Sequence, residues 1–361
     1  MARKRVILVT GVAGYWGSRV AAHLVAEESY HVLGLDAKPP ASKIGALDFV
    51  LADARNPLLV ELLKAEGVDT VCHLAFRSST RRSESAFDAN VMGTTKLLGA
   101  CADAGVRKVV LKSSTAVYGA RPTNSAFLTT EHPLRASRRY GYLRDLVEIE
   151  RFCHGFCRRT PGMALTTLRF SSIVGPTADT PMTRFLRLPW APSLMGFDPM
   201  MQVIHEDDVV AALVHAVRND VPGVFNVAAG DPMPLSMMRG LVGKRSLSVF
   251  HPFANWGVTV LGTARLDLDR YLPIEPSYLR YPWVADLAPM HQELGFVPRY
   301  TAAETLREFA AQLRLGRYRT AATGLAQDEE QMREIIARRR RAREPQAPPG
   351  GGTATGGGDD E

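Results

Sequence analysis

A tyrosine and an arginine one helical turn apart are the residues of this sequence best suited to moving a proton. The stretch "SRRYGYLRDLVEIERF" places Tyr140 four residues before Arg144, so the two side chains would share one face of a helix. A phenol has a pKa of about 10, and a positive charge about 4 Å away would lower that pKa by about three units at an effective dielectric of about 20. Such a pair could supply an acid or a base near neutral pH.

A second candidate site is a loop with three regularly spaced glycines. In "TGVAGYWGSRV", Gly11, Gly14 and Gly17 separate an apolar run from an amphipathic helical pattern. Glycines there permit a tight turn and let a pyrophosphate approach the helix N-terminus, where free N–H groups and the helix dipole favour anions. Asp36 closes the next apolar run, where a carboxylate accepts hydrogen bonds from ribose hydroxyls and repels a 2′-phosphate. The pattern favours NAD over NADP, and Lys38, two residues further on, keeps NADP open.

The elements that would position these residues alternate between strand and helix from residue 5 to about residue 175. Six runs predict strands, namely "RVILVTG", "YHVLGLD", "DFVLAD", "DTVCHLAF", "RKVVLKSS" and "ALTTLRFSS", with helical patterns between most of them. Nearly continuous apolar strands separated by helices indicate a parallel sheet covered on both faces. We therefore expect an α/β fold with a doubly wound, parallel Rossmann sheet.

The alternation breaks beyond about residue 175, where Pro-, Met- and Trp-bearing segments appear. We expect an NAD-binding domain over residues 1–175, which also receives residues 203–229. Residues 176–202 and 230–316 would form a smaller C-terminal, substrate-binding lobe at the carboxyl ends of the strands. Residues 317–361 are basic and then rich in Pro and Gly, and this composition predicts disorder over most of them.

Composition narrows the class of protein further. The 361 residues include 46% apolar and 22% charged residues, as in an ordinary globular protein, and no window approaches a membrane span of about 20 apolar residues. Four scattered cysteines favour a reducing, cytoplasmic setting, and none of them suggests a metal site. Much of the net charge of +7 lies in "ARRRRAR" near the C-terminus, so attraction to nucleic acid or an anionic surface would be confined to this tail.

The motifs along the chain, taken in order, resemble those of the extended short-chain dehydrogenase/reductase family, in its NAD-dependent epimerase/dehydratase group. The glycine loop is followed by "LADARN", "CHLAF", "DANVMGTTKLL", "KSSTAVYG" and "LRFSSIVGP", and the resemblance extends from about residue 5 to about residue 312. It implies NAD as the cofactor. The residues that it assigns to the cofactor are Gly11, Gly14, Tyr15, Trp16, Gly17, Asp36, Asp53, Ala54, Leu74, Ala75, Asn90, Tyr140, Arg144 and Ser171.

The resemblance also implies how the catalytic residues act. Tyr140 would take the proton of a substrate hydroxyl while a hydride passes to the nicotinamide, or the reverse, and Ser114 would donate a hydrogen bond to the substrate oxygen. Arg144 stands where the family carries the lysine of Tyr-x-x-x-Lys. Guanidinium is broad and planar and does not simply replace a compact ammonium between a phenol and two ribose hydroxyls. We expect cofactor binding to persist and turnover to be weakened.

The favoured function is an NAD-dependent oxidoreductase or epimerase/dehydratase-like enzyme acting on a secondary alcohol or ketone, with a nucleotide-sugar as the favoured substrate. The resemblance implies a homodimer that includes the helix bearing Tyr140. One alternative is an NAD-binding sensor or scaffold with little or no turnover. Another is a reductase of an apolar alcohol such as a sterol or isoprenoid, suggested by the apolar segments "PWAPSLMGF" and "HPFANWGVTVLG".

Overall fold

The computed structural model describes residues 4–77, 82–137, 140–249 and 275–315, together with Met332, Arg333 and Ile336. The chain divides into two compact units, Met1–Ala311 and Gln312–Glu361, and the elements below all belong to the first. Apart from Met332, Arg333 and Ile336, the C-terminal tail for which disorder is predicted lies outside the described residues, as does the segment "HPFANWGVTVLG".

A seven-stranded parallel sheet forms the centre of the first unit, in the order β11-β6-β5-β4-β1-β2-β3. The order runs outward from β1 in both directions, so the fold is doubly wound and the predicted α/β class is confirmed. The strands are β1 (Arg5–Thr10), β2 (Tyr30–Asp36), β3 (Asp48–Leu51), β4 (Thr70–His73), β5 (Lys108–Ser114), β6 (Ala164–Phe170) and β11 (Gly223–Val227).

Helices cover both faces of this sheet because successive strand side chains point to opposite sides. In β1, Ile7 and Val9 pack in one apolar core with α1 and α7, whereas Leu8 packs in a second core with α2, α4 and α5. These helices are α1 (Tyr15–Val25), α2 (Leu59–Glu66), α4 (Gly93–Ala104), α5 (Gly141–Arg159) and α7 (Glu206–Arg218). A short helix α3 (Glu84–Phe87) and a π-helical turn (Asp88–Met92) lead into α4.

The remaining described elements are short. Three two-stranded pairs join β7 (Ser172–Val174) to β10 (Val203–His205), β9 (Met200–Met201) to β12 (Met233–Pro234), and β8 (Trp190–Leu194) to β13 (Arg245–Val249). The helices are α6 (Pro181–Arg187), α8 (Leu235–Val242) and α9 (Ala288–Gln292), and 3₁₀ turns cover Thr115–Tyr118 and Pro276–Leu279. Residues 203–229 thus supply β10, α7 and the edge strand of the central sheet, while the predicted division into two domains remains a prediction.

Two further features of the described residues concern what the unit could bind. Among the described helices, none combines the length and the apolar character that crossing a bilayer requires. No group of three or more His, Cys, Asp or Glu side chains in this part of the chain is arranged to hold a metal ion.

Candidate active site

The glycine loop connects β1 to α1 at the point where the strand order reverses. Gly11 adopts φ +77°, a left-handed conformation that favours glycine. A Cβ atom at Gly17 would collide with the backbone carbonyl of Gly11, so the first turn of α1 can pack on the loop only without a side chain there. Gly14 caps α1 without a side-chain hydrogen bond, which leaves the first N–H groups of the helix for an anion. The loop therefore fits a pyrophosphate.

Asp36 holds the same loop from the end of β2. Its Oδ2 atom accepts a hydrogen bond from the backbone N of Ala13 at 3.0 Å, and its Oδ1 atom accepts one from the backbone N of Lys38 at 3.1 Å. Each carboxylate oxygen has two lone pairs, so the partly exposed group can still accept hydrogen bonds from ribose hydroxyls. The location agrees with the role that the sequence predicts, and it gives the carboxylate a second role in shaping the loop.

The end of β4 contacts the loop from the other side. A Cβ atom on Gly11 would lie 2.7 Å from backbone atoms of Leu74 and Ala75, so these segments touch without room for a larger residue. His73 is fixed between the hydroxyls of Thr10, at 2.7 Å, and Thr94, at 3.0 Å. Burial lowers the pKa of His73 to about 3, so this ring carries no charge near the cofactor loop at neutral pH.

Asp53 and its neighbour Ala54 follow β3, where the sequence predicts contacts with an adenine ring. Both oxygens of Asp53 accept hydrogen bonds from the Arg55 guanidinium, at 2.8 and 2.7 Å, and these bonds lower the pKa of Asp53 to about 2. Arg55 also pairs with Asp88. Asp53 is therefore ionised and held rigidly, while its contact with adenine remains a prediction.

A cavity of about 280 Å³ lies at the carboxyl ends of β4, β5 and β6. It brings together two of the three predicted catalytic side chains, Ser114 and Tyr140, although 25 positions separate them in the sequence. Side chains from the glycine loop and from the ends of β5 and β6 complete the walls of the cavity. The lining residues that the sequence predicts are Trp16, Leu74, Ser114, Tyr140 and Ser171.

The positions of Ser114 and Tyr140 follow from the ends of their elements. Ser114 is the last residue of β5, and its Oγ atom accepts a hydrogen bond from the backbone N of Ala116 at 3.2 Å, which leaves the hydroxyl proton for a substrate oxygen. Tyr140 immediately precedes α5 in an extended conformation, and its carbonyl accepts the bond from the backbone N of Arg144 at 3.0 Å. The phenol is thereby directed from a helix start toward the strand ends.

Arg144 does not line this cavity. Its guanidinium donates two hydrogen bonds to Oδ1 of Asp145, at 3.0 and 2.7 Å, and lies 4.7 Å from the centre of the Phe87 ring. Asp145 is buried and also accepts a bond from Asn90 at 3.0 Å. Arg144 instead lines a second cavity of about 760 Å³ beside α5. Its predicted assistance to Tyr140 remains a prediction, and this conformation does not supply the contact.

Both N–H donors of the Asn90 carboxamide, and its oxygen, bind protein groups. Its Oδ1 atom accepts a bond from the backbone N of Arg77 at 2.8 Å, and its Nδ2 atom donates to the carbonyl of Arg77 at 3.0 Å as well as to Asp145. Asn90 thus ties the segment after β4 to the start of α5. It supports both walls of the site, and direct contact with a ligand stays a prediction.

A buried ion pair fixes α5 to the two strands beneath it. Arg169 on β6 donates to Oε2 of Glu150 on α5 at 2.8 and 2.5 Å, and Ser113 on β5 donates to the other oxygen of Glu150. Arg169 also donates to the Tyr118 hydroxyl at 2.7 Å and to the carbonyl of Thr130 at 2.8 Å. Ser113 precedes Ser114, and Glu150 shares a helix with the segment after Tyr140, so this network sets the spacing of the two reactive groups.

Two buried polar atoms in the cavity walls, Ser171 Oγ and Trp283 Nε1, have no hydrogen-bond partner among the described residues. The ammonium group of Lys112 lines the same cavity and lies against the rings of Trp16 and Phe170. Sequence reasoning assigns Ser171 to the cofactor but misses the other two. Lys112 could have been noticed as a charge at a core-facing position of an apolar strand, whereas nothing in the sequence indicates that Trp283 returns to β5. Unpaired buried polar groups of this kind indicate a ligand site.

A doubly wound sheet with a glycine loop at its switch point, and with a serine and a tyrosine at neighbouring strand ends, defines the class of dinucleotide-dependent short-chain enzymes. The chain belongs to the NAD dependent epimerase/dehydratase family, whose sequence model matches residues 7–228.

Two relatives are similar to this chain over different lengths. An uncharacterised protein of Mycobacterium tuberculosis is 32% identical over 317 residues, which cover 84% of this chain and 83% of the relative. The UDP-glucose 4-epimerase of Lactobacillus helveticus is 32% identical over 182 residues, which cover 48% of this chain and 53% of that enzyme.

Solved structures share the fold over most of the chain. MoeE5 in complex with UDP-glucuronic acid and NAD superposes with a TM-score of 0.63 at 26% identity, covering 86% of this chain and 99% of that one. The UDP-glucuronic acid 4-epimerase of Bacillus cereus gives a TM-score of 0.65 at 22% identity, with 86% and 99% coverage.

Proposed function

We propose that this chain is an NAD-dependent enzyme of the epimerase/dehydratase type that acts on a secondary alcohol or ketone of a nucleotide-sugar. One observation carries the proposal: a single cavity of about 280 Å³ is lined by the phenol of Tyr140, the hydroxyl of Ser114 and the Trp16 side chain of the glycine loop. An acid/base group, a hydrogen-bond donor and the cofactor loop therefore share one space.

NAD is the cofactor that the residues fit. The glycine loop accepts a pyrophosphate without a side chain in the way, and the carboxylate of Asp36 favours free ribose hydroxyls over a 2′-phosphate. The NAD-bound relatives support the same choice. When bound, NAD supplies an acceptor and donor for hydride at the substrate carbon.

The chain's own residues would manage the proton and the oxygen. Ser114 donates a hydrogen bond to the substrate oxygen and orients it toward Tyr140. Tyr140, as the phenolate, takes the hydroxyl proton while the carbon loses its hydride, and it returns the proton when the carbonyl is reduced again. Water must be kept from the open carbonyl, and the apolar side chains of Leu74, Phe76 and Phe170 in the cavity wall would serve that purpose.

The nucleotide-sugar assignment rests on relatives. The names of MoeE5, the Bacillus cereus enzyme and the Lactobacillus helveticus enzyme all specify UDP-sugars as ligands or substrates. The alternative substrate, an apolar alcohol, stays a prediction, since no relative named above supports it and the segment "HPFANWGVTVLG" lies outside the described residues.

A second candidate is an NAD-binding protein with little turnover. The observation that favours it is the location of Arg144, which is paired with Asp145 and lines a different cavity from Tyr140. A phenol whose pKa stays near its ordinary value of about 10 remains protonated near neutral pH and is a poor base. The two candidates predict the same cofactor and differ in chemistry.

Tyr140→Phe separates these two functions. If the chain is an enzyme, the variant should convert UDP-glucose or UDP-glucuronic acid to another sugar at least about 100-fold more slowly than the wild type. Chromatography of the nucleotide-sugars measures this conversion. Its NAD affinity, measured by calorimetry, should stay unchanged, because the phenol is one contact among many.

The same experiment can contradict the proposal. Wild-type protein that binds NAD and leaves a panel of UDP- and dTDP-sugars unchanged would favour the low-turnover candidate. Wild-type protein that takes up no NAD would overturn both. Mass spectrometry of the protein as purified shows directly whether NAD or a nucleotide-sugar is retained.

We also propose that the chain forms a homodimer through the side of the sheet that carries α5, as the family resemblance implies. Light scattering after gel filtration measures the mass in solution, and a monomer would contradict this assembly.

A further inference from the structure

Lys112 is a buried lysine that has no ion-pair partner among the residues that the structure describes. It lies near the end of β5 with a relative exposure of 8%, in register with Leu168 of β6. Its ammonium lies 5.4 Å from the centre of the Trp16 ring and 5.9 Å from that of Phe170. Among the described residues it forms no hydrogen bond or ion pair, and only these ring contacts stabilise its charge.

A second lysine in the same strand provides the contrast. Lys108 points to the same side of the sheet as Lys112, because the two are four residues apart and strand side chains alternate. Lys108 is also fully buried, but its ammonium donates to the carbonyl of Asn219 and pairs with Asp220 at 3.2 Å. Within the described part of the chain, one buried lysine of β5 is therefore paired with a carboxylate, whereas the other has no such partner and lines the cavity that holds Ser114 and Tyr140.

We propose that Lys112 supplies the positive charge that stabilises the phenolate of Tyr140, in place of the residue one helical turn after the tyrosine. The inference rests on the proposed function in one respect, the role of Tyr140 as the acid/base group. Lys112 acts through Tyr140 from a neighbouring wall of the cavity. Arg144, by contrast, has its charge satisfied by Asp145 outside this cavity.

Lys112 and Tyr140 line one cavity, so the charge of the ammonium acts on the phenol across it. At a separation of about 8 Å and an effective dielectric of about 20, a unit charge lowers the pKa of a phenol by about 1.5 units. A shorter separation increases the shift. Burial lowers the pKa of Lys112 to about 8, so the ammonium is still mainly protonated at neutral pH.

Other titratable groups face the same cavity, and they do not replace Lys112. Burial raises the pKa of Tyr142 to about 12, and burial together with the charge of Glu275 raises the pKa of Tyr278, so both phenols stay protonated. Asp179 is bound by Arg184 at 2.8 and 2.7 Å, and this hydrogen bonding lowers its pKa. Glu275 also lines the cavity and would oppose a phenolate, which makes a cation from β5 more necessary.

The test measures the titration of Tyr140 itself. Full-length protein labelled with ¹³Cζ-tyrosine is titrated by NMR with and without NAD, and Tyr140→Phe assigns the resonance among the ten tyrosines. In Lys112→Met, which keeps the length of the side chain and removes its charge, the pKa of Tyr140 should rise by about 1.5 units. In Arg144→Met it should hardly move, and Lys112→Arg should retain most of the wild-type value.

The outcomes distinguish this inference from the proposed function. An unchanged pKa of Tyr140 in Lys112→Met, or a rise only in Arg144→Met, overturns the inference. A rise in Lys112→Met supports it even if no nucleotide-sugar is converted, because the titration requires no turnover. Circular dichroism of each variant confirms that the fold is intact, and the shift is then not a consequence of unfolding.

Discussion

Two buried cations on adjacent strands of the same sheet differ in what surrounds their charges. Arg169 of β6 and Lys112 of β5 lie at the same level, since Arg169 is in register with Ser113, and they face opposite sides. Arg169 has a carboxylate, a phenol and a carbonyl as acceptors, whereas the described residues place only two aromatic rings against the ammonium of Lys112. A paired charge serves the structure, and an unpaired one is available for a ligand or for chemistry.

The largest effect is expected on removing the paired cation. Arg169→Met leaves the carboxylate of Glu150 buried at 6% exposure without its counter-charge, and this should lower the free energy of unfolding by about 3–5 kcal/mol. Urea denaturation followed by circular dichroism measures the loss. Replacing both partners, as in Glu150→Leu with Arg169→Met, should recover part of it. A single variant as stable as the wild type would mean that the pair is not desolvated.

Removing the charge of Lys112 should have the opposite effect and raise the free energy of unfolding near neutral pH. The pKa of Lys112 is about 8 in the folded chain and 10.5 in its ordinary range. The unfolded chain therefore holds the extra proton between these values, and the stability of the wild type rises with pH across that window. At pH 7, Lys112→Met should be more stable than the wild type by up to about 3 kcal/mol, at 1.36 kcal/mol per unit.

This gain should disappear above about pH 10.5, where both states of the wild type are neutral at Lys112. Urea midpoints of the two proteins at pH 7 and pH 10.5 provide the comparison. A variant that is less stable than the wild type at pH 7 would show that Lys112 is compensated, and that the contrast with Arg169 is misplaced.

The smallest change in stability is expected for Arg144. Its size shows whether Arg144 is a paired cation that serves the structure or one that is available to a ligand. Arg144→Met leaves Asp145 with its bond from Asn90 but without the guanidinium, so we expect a loss of about 1–2 kcal/mol in urea denaturation. Arg144→Lys should recover only part of this loss, because an ammonium cannot form the same planar contact with Asp145 and Phe87. No loss in Arg144→Met would assign the arginine to the ligand rather than to the fold.

The sequence predicts best what depends on near neighbours in the chain. The glycine loop and the six strands are local patterns, and the parallel order follows because helices separate the strands. The site is less predictable. Ser114 and Tyr140 meet as the family resemblance implies, but the direction of Arg144 depends on Asp145 and on the ring of Phe87, which are brought together only by the packing of α3 on α5.

Lys112 and Trp283 illustrate the other limit. Whether a strand lysine is neutralised depends on residues far away in the sequence. Lys108 pairs with Asp220, whereas Lys112 has no carboxylate partner among the described residues. Trp283 reaches the cavity from a segment that is joined to Leu128 by an isolated bridge at Ala285, a long-range contact with no local signature.

The bonds from Glu150 to Ser113 and Arg169 have a mechanical consequence. They clamp the helix that follows Tyr140 against the strand that ends in Ser114, so the gap between phenol and hydroxyl has little freedom to widen. Tyr278, which lines the same cavity, is held instead by a hydrogen bond of 2.8 Å to the carbonyl of Ala116 and by the packing of its ring on Trp283. We therefore expect differences in ligand size to be accommodated on the Tyr278 side of the cavity, with the distance between the phenol and the serine hydroxyl unchanged.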